Sequence, residues 1–518
     1  MGEGELDFKF LPAGGQFHLR GSDEALTAYG GLVAWDHFLE RCGVIAQLAS
    51  NYPLPRISPN ATPVADILKA FSLNCLIGGT RFAHGRRLQD DSAVAKITGM
   101  HKGRLCGEDA FRRLCERLDA TQVETWFVPA EQIIHHAIPP NAVADWDSTV
   151  IPRYGQQEDT SIGYNPQKPG RPSHHPLACV IAGTRLCLHM EWRKGNTVSA
   201  TGWTSAMEKV WRSPIAQHRI RLNRGDIGFG QETIMAWHEQ AKNKRPSYLF
   251  KLKLTANVKR AIAKISWEDW QGKPNEGLVQ LAEIKLQLHG WSCERRVIIE
   301  RTLKPLNPTP QGSFWKQCEE DFSAYATNLT PEEAAAFQIV QLYRQRADAE
   351  NVFDELKNQW GFAGFCSQKA AVSQSSARIL LLVYNLWSLF VRVLKNQGSH
   401  TEAIKSRYEL LLIPAKLVLS GRRKIIKLAV GTKFASFLKQ AYQRLEEWLN
   451  RTAPQLSLTM GKHPPWLLFD PAQPQSAPIS RYMTQLLAPP ILSSTADSRM
   501  MAAGRSRPGR DSMSFGDA

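Results

Sequence analysis

Hydrophobic positions along this chain keep a helical period at first, give way to strand-like runs, and then return to helix. From Ala25 to Ala49, and again from Val64 to Ile77 after a proline-rich link (NYPLPRISPNATP), apolar residues recur every three to four positions, the spacing of an amphipathic helix. Further helical stretches run through Trp126. Within them Asp91 and Ser92 are placed to cap a short helix ending near Ile97, Gly99 breaks it, and Glu108 to Leu118 forms a second helix carrying Arg112, Arg113 and Arg117. Such a pair permits a helix-turn-helix, and equally permits simple helix packing.

From Asn141 the segments AVADWDSTVIPRYG, LACVIAGTRLCLHMEW and YLFKLKLTANV carry the β-branched and aromatic residues of strands, separated by Gly and Pro clusters. A second β-rich stretch (LAEIKLQLHGW, ERRVIIERTL) includes Trp267, Trp270 and Trp291, whose rings suit either a core or stacking on a base. Thr330, Pro331 and Glu333 then start a helix with a capping box. The most apolar run, Ile379 to Val391, is bracketed by Arg378 and Arg392 and falls short of the roughly 20 residues that span a bilayer, so it reads as a buried core helix. The chain thus divides into a helical region, 1–140; a mixed α/β part, 141–255; a β-rich stretch, 256–329; a helical return, 330–400; a helical C-terminal region, 401–470; and a tail, 471–518, whose Pro, Ser, Ala, Gly and Arg content predicts disorder.

Composition narrows the partner. A chain of 518 residues with 43% hydrophobic content supports more than one packed unit. Its 64 Lys and Arg against 48 Asp and Glu leave a net charge of +16, which favours a polyanion, nucleic acid first. Nine cysteines, an odd number without a C-x-x-C pair, suit a reducing cytoplasm. The start, MGEGELDFKF, lacks the basic and apolar segments of a secretory signal, and no membrane role is expected.

The most specific local feature is YRQRADAENVFDELK. Tyr343, Arg346, Glu350 and Lys357 follow one another by 3, 4 and 7 residues, which on one helix places them within roughly 60°. Such a stripe can offer Glu350 to a metal while Arg346 and Lys357 meet phosphates, or it can be a solvated, salt-bridged face. Elsewhere Asp145 and Asp147 share a strand face, and Asp226 stands between Gly225 and Gly228 as many turn aspartates do. His174 and His175 are adjacent and lack partners at zinc-finger spacing, and GYNPQKPGRP lacks the pattern of a nucleotide-binding P-loop.

The motif Y-x2-R-x3-E-x6-K resembles the YREK signature of bacterial insertion-sequence transposases of the DDE class. AVADWDSTV and NRGDIGFG resemble the family's other two motifs, in the expected order, and RYGQQEDTSIGYNPQKPGRPSHHP resembles the branch named for insertion sequence thirteen-eighty. The resemblance implies an RNase H-like core, an α/β fold, split by a β-rich insertion and flanked by α-helical N- and C-terminal regions. It further implies a cut-and-paste transposase in which Asp147, Asp226 and Glu350 hold two Mg²⁺ ions, with Mn²⁺ able to substitute. The family motif sets its ligand directly before Ser/Thr, which favours Asp147; Asp145 stays open as the alternative ligand or as a structural neighbour. Tyr343, Arg346, Lys357, Lys251 and Lys253 are the candidate DNA contacts. The implied partners are double-stranded DNA, as terminal inverted repeats and as target, and a second copy of the chain, since two ends need two active sites. The implied location is the bacterial cytoplasm, on the nucleoid. Two other classes stay open: a catalytically silent DNA-binding protein of the same fold, and a carboxylate-based hydrolase such as a glycosidase.

Overall fold

The computed structural model describes residues 7–20, 24–56, 58, 60–240, 245–272, 279–305 and 318–452. The expected tail, 471–518, and residues 453–470 of the expected C-terminal region lie outside the described residues.

Helices α1 (Leu32–Cys42), α2 (Val64–Leu76) and α3 (Ala120–His135) carry the first part of the core. Asp119 starts α3 with a capping box, accepting from the Gln122 amide at 2.8 Å while its own amide donates to the Gln122 side chain at 3.0 Å. Asp91 caps the Ser92–Ile97 helix through the Val94 amide at 2.9 Å. The next helix is shorter than its sequence suggests, Ala110–Cys115, and faces inward: Phe111 stacks on Phe71 with ring centroids 4.0 Å apart. The N-terminal region is not purely helical, because Asp7–Phe10 and Phe17–Arg20 pair as an antiparallel hairpin.

A nine-stranded mixed sheet forms the centre. In chain order its strands are β1 (Ala142–Ser148), β2 (Leu177–Ile181), β3 (Leu186–Glu191), β4 (Ile220–Gly225), β5 (Ser247–Lys251), β6 (Gln271–Gly272), β7 (Val279–Leu286), β8 (Arg295–Pro305) and β9 (Cys318–Thr327). The spatial order is β6-β7-β8-β9-β5-β4-β1-β2-β3. Strands β1, β4 and β5 run parallel in the middle, and the strands on both sides are antiparallel. The β-rich stretch 256–329 therefore extends this same sheet from β5 outward.

Helices cover both faces of the sheet. Ala144 and Trp146 point toward the large core shared with α1 to α3. Val143, Leu222 and Leu249 point the other way, against Ile339, Val340 and Leu342 of helix α4 (Ala336–Arg344). Helix α5 (Ala347–Gln359) follows, then α6 (Ala370–Lys395), whose most apolar window is 94% buried inside the protein. That burial explains why a helix long and apolar enough to cross a membrane stays among other helices here. The C-terminal region departs from an all-helical reading. Strands β10 (Ala415–Ser420) and β11 (Arg423–Leu428) form a hairpin before helix α7 (Thr432–Thr452). Gly421, at φ 58°, occupies the first place of its two-residue turn, a conformation that Gly adopts without Cβ strain.

Candidate active site

The site grows out of the parallel pairing of β1 with β4. Their register sets Val143 opposite Leu222 and Asp145 opposite Arg224. Along this face the cross-strand pairs pass from apolar, through an ion pair, to two carboxylates: one step past the last register pair, Trp146 with Gly225, stand Asp147 and Asp226. On the next strand Phe250 lies opposite Gly225, so Lys251 ends β5 beside Asp226. Lys251 is half-buried, and Lys253 is exposed just beyond the strand. Ligand sites of open parallel sheets form at such carboxyl ends.

Asp145 is completely buried and Arg224 is 1% exposed. The guanidinium grips both carboxylate oxygens, Nε to Oδ1 at 2.6 Å and Nη2 to Oδ2 at 2.8 Å. Burial raises the Asp145 carboxyl above its ordinary range, and the guanidinium pulls it back. Arg224 has a second role. Its Nη1 donates to the Leu342 carbonyl, and its Nη2 reaches the Gln345 carbonyl at 3.5 Å. In a continuous helix those carbonyls would accept from the amides of Arg346 and Ala349. Instead the Arg346 amide bonds to Tyr343 at 3.1 Å and the Ala349 amide to Arg346 at 3.4 Å. The single helix face expected for Tyr343, Arg346, Glu350 and Lys357 is thus corrected: Tyr343 lies in the last turn of α4, Arg346 in the break, and Glu350 and Lys357 ride on α5. A side chain inserted into the hydrogen-bond ladder is an established cause of such a kink.

The break turns these side chains toward the strand ends. Arg346, 11% exposed, places Nη1 3.4 Å from Asp147 and Nη2 3.6 Å from Glu350. Its guanidinium carbon lies 5.9 Å from the Tyr343 ring centre. Lys357 donates to the Thr149 hydroxyl at 2.5 Å. Burial raises the Tyr343 hydroxyl, with Arg346 opposing and Asp226 and Asp147 adding, while burial lowers the Lys357 ammonium. Asp226 makes an Asx turn, accepting from the Gly228 amide at 2.9 Å. The start of α5 is tied to the β2–β3 turn by Asp348, which accepts from the Gly183 amide at 2.7 Å and from Arg185 at 3.3 Å.

Asp147 has its pKa pushed up to about 6, chiefly by burial; Asp226 and Glu350 push the same way, and Arg346 pushes back. Glu350 is 70% exposed and meets Arg346. The structure therefore brings Asp147, Asp226, Arg346 and Tyr343 together, with Glu350 at the rim. Among the described residues no three His, Cys, Asp or Glu side chains are gathered tightly enough to hold a metal as they stand.

Sequence reasoning did not single out several neighbours. Ser199 places its hydroxyl 2.9 Å from that of Ser148 beside Asp147, and His175, weighed in the sequence only as a zinc ligand, sets Nδ1 2.6 Å from the Thr197 carbonyl. Their separation along the chain left no local pattern to find. His174 is a structural group: its Nδ1 accepts from Arg153 at 3.1 Å. Trp267 is 75% exposed, and Arg301 lies over both Trp267 and Trp270, at 5.3 and 4.2 Å from the ring centres.

A model of the family described as Transposase DDE domain group 1 matches residues 14–450. The chain belongs to this family of transposases. No curated protein matches its sequence. Among solved structures, the cryo-EM structure of a piggyBac transposase synaptic complex with hairpin DNA aligns at a TM-score of 0.40 and 13% identity, covering 85% of this chain and 89% of that one.

Divalent metal ions serve DDE transposases generally, and the donor chemistry of this transposase fits them. Its oxygen-only set suits a hard cation, and Asp226 and Glu350 stand close enough to Asp147 to push its carboxyl upward, though less than burial does. Arg346 supplies the one cation in contact with both Asp147 and Glu350 among the described residues.

Proposed function

We propose that this transposase cuts and pastes DNA: it binds terminal inverted repeats, nicks at the element's boundary, and joins the freed 3′-hydroxyls to target DNA. The observation that carries this reading is the convergence of Asp147, Asp226 and the Arg346–Glu350 pair at the carboxyl ends of neighbouring parallel strands. Asp147 on a central strand, Asp226 after another and Glu350 on a later helix also support an RNase H-like core. The nearness of Tyr343, Arg346 and Glu350, with Lys357 on the same helix as Glu350, supports the YREK signature, while the branch named for insertion sequence thirteen-eighty rests on the segment RYGQQEDTSIGYNPQKPGRPSHHP.

Asp147, Asp226 and Glu350 are the residues to hold two Mg²⁺ ions, which when bound supply an activated oxygen nucleophile and relief of charge on the scissile phosphate. The protein's own groups do the positioning. Lys251, Lys253 and Lys357 offer cations to the DNA backbone, Arg346 can meet a phosphate oxygen, and Tyr343 forms one wall of the mouth beside Asp226. Two ends cut in concert call for a homodimer on DNA. The reading places this work in the bacterial cytoplasm, on the nucleoid.

The test is cleavage of a duplex carrying the element's terminal repeat, with Mg²⁺ or with EDTA, by wild type and Glu350→Ala. The expected result is metal-dependent nicking at the repeat boundary that Glu350→Ala loses while it still binds the repeat. Binding without cutting by the wild type, under conditions where a related transposase cuts, would replace this reading with a silent DNA-binding protein.

A further inference from the structure

Residues 410–445 contain eight Lys and Arg and not one Asp or Glu. The β10–β11 hairpin lies within this stretch, and its two faces differ. Ala415 and Leu417 are buried against the helical region, with Ile426 and Leu428 beside them lining a cavity of about 270 Å³ with Val33 and Tyr442. The opposite face presents Lys416, Val418, Arg423, Ile425 and Lys427 outward.

Two observations set this face apart from an ordinary solvated surface. Lys416 and Lys427 are direct cross-strand partners, an arrangement of like charges that destabilises a sheet. Of the two, Lys416 alone has an acidic partner among the described residues, Glu24. Among the described residues, the side chains of Arg422, Arg423, Lys424 and Lys427 make no ion pair or hydrogen bond. Furthermore β11 is the outer strand of its small sheet, and among the described residues no strand pairs with its free edge.

We propose that the β10–β11 hairpin is a second DNA-backbone contact, in which Lys416, Arg423 and Lys427 on the outer face, Arg422 in the turn and Lys424, exposed beside the turn on the other face, hold phosphates of duplex DNA. The inference rests on the transposase reading and adds a surface distinct from the carboxylate site. Arg423 and Lys427 are four residues apart on one strand, about 13 Å, so they reach different phosphates. No base-reading geometry is involved, so the contact adds affinity for any duplex.

The test is binding of a labelled duplex of arbitrary sequence, roughly 30 base pairs long, between about 50 and 200 mM KCl, where each phosphate contact contributes about 0.9 to the slope of log affinity against log salt. The variant Arg422→Gln/Arg423→Gln/Lys424→Gln, at exposed positions, should lower that slope by about 2 to 3 and weaken binding at least roughly tenfold. Arg422→Lys/Arg423→Lys should bind as wild type does. An unchanged slope in the triple-Gln variant while wild type binds would overturn the proposal and leave the transposase reading standing. The same holds if that variant binds normally but aggregates, since the charges would then only guard an edge strand. A wild type that binds no duplex would sink both.

Discussion

Replacing Asp145 with Asn isolates the buried pair beneath the site. The substitution keeps the shape of the side chain but leaves the Arg224 guanidinium, 1% exposed, without its counterion. Removing one partner of a buried pair costs about 3–5 kcal/mol, because the remaining charge stays desolvated. Here the upper part of that range is expected, since both Asp145 oxygens are engaged, at 2.6 and 2.8 Å. The loss also reaches the chemistry. Arg224 holds the carbonyls of Leu342 and Gln345 at the break that aims Arg346 and Glu350, and a misplacement of about 1 Å at a reacting centre costs about a hundredfold in rate. Urea unfolding of Asp145→Asn should show the lost stability. The double variant Asp145→Asn/Arg224→Met, which removes the orphaned charge, should recover most of it, to within about 2 kcal/mol of wild type. Terminal-repeat cleavage should stay low in both, because neither restores the pair that caps the break. Unfolding of Asp145→Asn within about 1 kcal/mol of wild type, or full cleavage by the double variant, would refute the argument that this pair sets the break.

Two further outcomes follow from the charges around Asp147. Arg346→Gln removes the cation that contacts both Asp147 and Glu350, so Mn²⁺ affinity of the DNA-free protein, read by electron paramagnetic resonance, should rise at least roughly tenfold, since a unit charge and a dication about 6 Å apart repel by about 1–6 kcal/mol; unchanged or weaker binding would contradict it. Asp147 in the folded protein has a pKa of about 6 against an ordinary 3.8, so the fold favours its protonated form and metal-free stability should fall as pH rises from about 4 through 6. Asp147→Asn should flatten that part of the pH profile and be more stable than wild type at pH 8 by up to about 3 kcal/mol, and a less stable variant would refute the sign.

Local patterns made much of this molecule legible. The helical period of Val64 to Ile77 and the capping signals at Asp91 correspond to real helices, and the apolar run from Ile379 lies inside a buried one. The β10–β11 hairpin was missed because aliphatic and basic residues in KLVLSGRRKIIKL satisfy helical and strand periods alike over so short a length. Only Gly421 at the turn separates them. The kink between α4 and α5 had no local sign at all. YRQRADAENVF contains neither Pro nor Gly, and the group that opens the ladder, Arg224, lies 118 residues from the carbonyl it takes at Leu342.

Asp145 and Asp147 show how far periodicity reaches. A period of two says that both side chains leave the same face of β1, and they do: Asp145 meets Arg224, which holds the α4–α5 break, and Asp147 meets Arg346 within that break. What distinguishes them is depth along the strand. Two residues move a side chain by about 7 Å, enough here to pass from beneath α4 to the mouth of the sheet. At the deeper position a lone carboxylate is tolerable only with a guanidinium opposite, and the register with β4 provides Arg224 there. At the outer position the neighbours are Asp226 and Arg346, and the carboxylate stays available to an added cation. Depth is set by where β4 pairs and where α4 ends, both decided by residues far away in the chain. A motif can therefore mark Asp147 for chemistry, whereas the work of Asp145 becomes visible only when Arg224 is seen holding it and the helix break together.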